Sequence, residues 1–96
     1  MSMPIARERK ILSEAEFALV APSHYPEVAR LDREALIALA RRLREARDAA
    51  RTRLAAQRRA KRGKAEPRGS LDDTGVAAKK QVFAAALRRV NKRLEG

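Results

Sequence analysis

Between Asp32 and Gly63 the chain contains neither proline nor glycine. Over that stretch apolar residues recur at Leu36, Leu39, Ala40, Leu43, Ala46, Ala50 and Leu54. Steps of three and four residues put them all on one face of an α-helix. Asp32 is a good N-cap for that helix, and Glu34 sits favourably near the positive end of its dipole. Gly63, after a cationic last turn, is the natural stop. Roughly thirty residues at about 1.5 Å each make a rod about 45 Å long. That is more than a chain of 96 residues can cover with its own core. Alanine and leucine carry most of the apolar content, and aromatic residues are only 3% of the chain. Such side chains suit thin, closely packed helices better than a sheet or a deep ligand cavity.

Shorter elements are expected on either side. Pro4 and a mixed-charge stretch make residues 1–12 a loose start. Ser13 and Glu16 then form a capping box, in which hydroxyl and carboxylate each satisfy a free backbone N–H. The helix they begin runs to about Ala21, burying Phe17 and Val20 with Leu12 as the preceding staple, and Pro22 ends it. A turn and one or two helical turns follow, starting near Pro26. The segment Gly63 to Gly75 holds three glycines and one proline and is expected as a flexible basic loop. Asp73 or Thr74 caps a last helix over about 76–94, with Val76, Phe83, Leu87, Val90 and Leu94 in one stripe and Ala86 beside it. Full burial of each large side chain contributes roughly 1.5–3 kcal/mol, and the obvious mate for the stripe is the Leu36–Leu54 face. The expected fold is therefore all-α: a short N-terminal helix, a long basic helix (about 33–62) and a C-terminal amphipathic helix (about 76–94) in a hairpin or bundle. Residues 13–96 make one domain, and so small a core suggests a homodimer.

The formal net charge is +11, and it is unevenly placed. Residues 1–35 carry a net of −1, residues 36–69 a net of +9 and residues 70–96 a net of +3. Such asymmetry points to a polyanionic partner rather than to generic solubility. In the first half of the long helix the charge is partly relieved, because Arg41 and Glu45, and Arg44 and Asp48, lie four residues apart. From Gln57 to Lys64 five cations occur with no acid, and like charges one turn apart repel.

The residues expected to contact phosphate are Arg51, Arg53, Arg58, Arg59, Lys61, Arg62, Lys64 and Arg68. Arg88, Arg89, Lys92 and Arg93 form a second patch on the last helix. Single strands are usually held on aromatic platforms, but Phe17 and Phe83 fall on core stripes and Tyr25 stands alone. Duplex DNA gripped through its phosphates is the better match, with structured RNA the other form of nucleic acid that fits. Base-reading chemistry is sparse, since Gln57 and any arginine are unspecific signals. Pro67-Arg68-Gly69 resembles the core of an AT-hook, but the second arginine and the following proline are missing and Glu66 is acidic.

The same residues argue against other classes. With no cysteine there is no disulfide framework, thiol nucleophile or cysteine metal site. His24 is the one histidine and has no partner at a defined spacing, so a packing role is expected for it. Gly63-Lys64 is no phosphate-binding loop, because Ala65 replaces the hydroxyl residue and the upstream glycine is absent. The chain is thus expected to be no enzyme and to need no cofactor or metal. The run Phe17–Ala21 is too short to cross a bilayer, no secretory h-region is present, and the alanine-rich face is a poor membrane anchor. A cytoplasmic, nucleoid-associated or regulatory bacterial protein fits the alanine- and arginine-heavy usage. The competing reading is an adaptor or inhibitor whose basic helix docks on an acidic protein surface.

Overall fold

A computed structural model describes the backbone of residues 4–64 and 70–95, with side chains from 4–59 and 75–95. Every regular element among the described residues is helical. The order is α1 (Ile5–Ile11), α2 (Glu14–Val20), a 3₁₀ turn (Ala21–Ser23), α3 (Glu27–Arg30), α4 (Arg33–Lys64) and α5 (Ser70–Glu95). The two long helices run antiparallel and make the dominant contact of the fold. At about 1.5 Å per residue α4 alone is about 48 Å long, which accounts for a molecule measuring 49 × 23 × 23 Å.

The local signals in the sequence explain several boundaries. The Ser13 hydroxyl accepts from the Glu16 N–H at 3.2 Å, and the Glu16 carboxylate accepts from the Ser13 N–H at 2.8 Å. This reciprocal box starts α2 at the expected position. Pro22 cannot continue an α-helix, and the chain tightens into the 3₁₀ turn. Asp32 accepts from the Ala35 N–H at 2.8 Å, capping α4.

Three expectations are corrected. Residues 1–12 are not a loose start throughout, because α1 occupies Ile5–Ile11, with Pro4 at its N-cap and Leu12 closing it by donating to the Glu8 carbonyl. Gly63 does not stop the long helix, which runs on to Lys64. A glycine costs a helix only about 1 kcal/mol relative to alanine, less than the neighbouring turns supply. The last helix starts at Ser70 instead of Val76, so Asp73 and Thr74 lie inside it and the expected loop at 63–75 is helical at both ends. Serine and aspartate are residue types that favour a first helical turn. Residues 65–69, the middle of that loop, lie outside the described residues.

The core is the seam between α4 and α5, closed by the N-terminal helices. Leu36, Leu39, Ala40, Leu43, Ala50 and Leu54 of α4 meet Val76, Phe83, Leu87 and Val90 of α5, and Leu12 and Val20 seal one side. α5 buries a broader arc than the single stripe expected of it, since Val82 and Ala86 are also fully enclosed. The reason is a third layer: α1, α2, the 3₁₀ turn and α3 all pack on α5. Phe17 lies at the margin of the core, half-buried, with the Arg9 guanidinium 4.8 Å from its ring centre.

Candidate nucleic-acid interface

Leu54 is the last enclosed residue of the described part of α4. Beyond Asp48 that helix has no acid, and Arg51, Arg53, Arg58 and Arg59 are exposed. Lys61, Arg62 and Lys64 continue the same helical backbone, but their side chains are outside the described residues, as is the whole of Arg68. The fading of the apolar seam ahead of the charge is thus a property of the folded helix as far as Arg59. The half of α4 before Leu54 is arranged differently from expectation. Asp48 accepts from the Nε and Nη2 of Arg47, the residue beside it, at 3.2 and 3.1 Å. Arg44 and Arg41 are left exposed, so the pairing expected four residues apart is replaced by one between neighbours.

The second patch, on α5, divides. Arg88 and Lys92 are exposed. Arg93, also exposed, reaches the Ala29 carbonyl at 3.4 Å through its Nη2. Arg89 does not belong to a phosphate-binding surface. Its side chain is 13% exposed, and its Nη2 pairs with the Glu8 carboxylate at 3.1 Å. Nε and Nη2 also donate to the Ser23 hydroxyl at 3.2 and 2.8 Å. That hydroxyl in turn donates to the Val20 carbonyl at 2.6 Å. The other Glu8 oxygen meets His24 Nε2 at 2.5 Å. Glu8 is fully buried, and a buried carboxylate persists only when paired and hydrogen-bonded. One acid on α1 thus fastens the N-terminal segment to α5 through Arg89 and to the 3₁₀ turn through His24. His24, expected to pack without a partner at a defined spacing, has the buried Glu8 carboxylate as its partner.

A second tie joins α2 to α5. Lys79 Nζ lies 3.2 Å from Glu16 Oε1. Partial burial pushes the Glu16 carboxyl upward, but the Ser13 N–H, the Lys79 ammonium and the Ser13 hydroxyl together outweigh it and hold the group below its ordinary value. The capping box is therefore also an ion-pair site between elements.

Sequence reasoning missed Glu8 and Ser23, and it misplaced Arg89. Nothing local marks them, because Glu8 stands in a mixed-charge stretch and its guanidinium partner is 81 residues away. One signal was present: Arg89 falls one position before Val90 on the expected stripe, so it borders the core. Tyr25 is 82% exposed and isolated, hence no stacking platform. Among the described residues no group of His, Asp or Glu is arranged to hold a metal ion, and no helix is long and apolar enough to cross a membrane. Comparison with protein-family models, with curated proteins and with solved structures finds no match for this chain.

Proposed function

We propose that this protein binds duplex DNA, gripping phosphates through arginine and lysine on α4 with help from α5. The observation that carries the reading is the acid-free stretch of α4 after Asp48, with Arg51, Arg53, Arg58 and Arg59 exposed and the core ending at Leu54. Holding like charges a turn apart costs free energy, and a polyanion offsets that cost by releasing its condensed counterions. Arginine dominates the set, and its planar fork suits phosphate oxygens. With almost no base-reading chemistry, binding is largely independent of sequence. A chromosome-organising or regulatory role in a bacterial cytoplasm is the setting for such an activity.

Self-association belongs to the same reading. Among the described residues, Ile5, Tyr25 and Ile37 are the large apolar side chains left exposed, at 47%, 82% and 41%. They lie towards the end where α4 begins, remote from the cationic tip, so a homodimer joined there leaves the arginines free.

Gel shift with two unrelated duplexes at low and moderate salt tests the reading. Both duplexes should shift at low salt, and the shift should weaken steeply as salt is added. A variant carrying alanine at Arg58, Arg59, Lys61 and Arg62 should bind far less tightly. Unchanged DNA mobility at low salt, with one acidic protein recovered by pull-down, would replace DNA binding with protein docking.

A further inference from the structure

The seam between α4 and α5 gives each helix two flanks. Consecutive residues of an α-helix are about 100° apart, so every seam residue has one neighbour on each flank. An antiparallel pair has an approximate two-fold axis normal to the plane of its two helix axes. The flank that precedes the seam residues therefore lies on the same side of the hairpin in both helices, and the flank that follows them lies on the other.

The preceding flank is the covered one on α5, while on α4 its Ala38, Arg42, Ala49 and Arg53 stay exposed. On α5 it consists of Val82, Ala86, Arg89 and Arg93, of which the first two are fully enclosed. Arg89 holds Glu8 and Ser23, and Arg93 reaches Ala29. On α4 it includes Ala49 and Arg53, which share a shallow hollow with Ala15 and Leu19 of α2. The following flank carries Arg44 and Arg51 on α4, with Arg58 seven residues further on, and Arg88 on α5, while Lys80, four residues after Val76, borders it from the seam side. No hydrogen bond or ion pair joins these five to the N-terminal segment among the described residues. Arg44, Arg51, Arg58 and Arg88 are exposed, while Ala77, Lys80 and Ala84 are half-buried between the two helices.

We infer that this uncovered two-helix face, with Arg44, Arg51 and Arg58 beside Lys80 and Arg88, is the surface that receives the DNA backbone. The inference rests on the DNA-binding reading and adds to it which side of the hairpin meets the duplex. Three features select the occupant. Asp48 and Glu95 are the acids on this face and its cations outnumber them, so a second copy presenting the same face would be repelled by like charge. The α4 arginines recur every two turns, about 10.5 Å apart, along a rigid helix. The two cation rows stand on helices whose axes are roughly 8–10 Å apart, close enough for one duplex to meet both. Alanine between the rows keeps the floor shallow, so the phosphates can approach. Arg53, exposed on the other flank beside α2, and Arg89, inside the Glu8 cluster, are outside this face.

The test compares three double variants for binding to a fluorescently labelled duplex, followed by anisotropy across a salt series: R44A/R51A, K80A/R88A and K10A/R42A. Each removes two cations, so net charge falls equally, and circular dichroism checks that each keeps its helices. The first two should each reduce the salt slope by about two and weaken binding markedly at low salt. K10A/R42A takes its charges from α1 and from the preceding flank of α4, and should match the unsubstituted chain. An equal loss in all three, or no effect of K80A/R88A, overturns the assignment of this face while leaving DNA binding in place. Failure of the unsubstituted protein to bind any duplex overturns the DNA reading itself, and binding confined to structured RNA overturns the assigned occupant.

Discussion

Glu8 is the residue on which the N-terminal segment turns. It is fully buried and lies between Arg89 and His24. Breaking such a pair from one side is costly because the remaining charge stays enclosed, whereas replacing both partners by apolar groups is often neutral. Arg89→Met should therefore destabilise the protein by about 3 kcal/mol, measured by urea unfolding. Combining it with Glu8→Leu should recover much of that loss, giving a large coupling energy in a double-mutant cycle. Additive losses would mean that the pair does not hold the segment. Glu16 offers a pH-dependent counterpart. Its carboxyl is held below the ordinary value of 4.5 in the folded chain, so the unfolded chain takes up the proton first as pH falls. Its contribution is present above pH 4.5 and lost as the pH drops through the lower folded value. The stability gap between the unsubstituted protein and Glu16→Gln should thus be open at pH 7 and narrow at pH 3. A gap that widens in acid would contradict the assigned shift.

The elements set by short-range signals are legible in the amino-acid order alone: the capping box of α2, the Asp32 cap of α4 and the three-and-four rhythm from Leu36 to Leu54. Those that depend on distant partners are not. α1 puts Ile11 against the core and is tied down through Glu8, whose guanidinium partner comes from the far end of the chain. The start of α5 is hidden by Gly75, which reads as loop chemistry although a glycine inside a helix only weakens it. Gly75 is exposed, and a Cβ placed on it would meet nothing within 4 Å. Gly75→Ala should therefore stabilise the protein by about 0.5–1 kcal/mol and raise its thermal midpoint. Destabilisation would show that the last helix begins later, near Val76. The candidate site is legible as a run of exposed cations, because charge and its placement are carried by the sequence itself. Its sidedness is not, since only the folded N-terminal layer decides which flank of the hairpin stays open.

Taken whole, the molecule is a hairpin with unlike sides. One side is closed on α5 by short helices tied down through Glu8 and Glu16, and the other carries more arginine and lysine than acid. The N-terminal third supplies nearly balanced charge and the layer that covers the core, while residues 36–69 supply most of the net +11. On the proposed reading, affinity for a duplex comes from counterion release more than from shape or base contacts. The most direct measurement is the dependence of duplex affinity on salt for the unsubstituted chain. With about six to eight cations on phosphates, the logarithm of the association constant should fall against log[salt] with a slope of about −5 to −7. A slope near zero, at an affinity that persists in high salt, would contradict a phosphate-gripping hairpin.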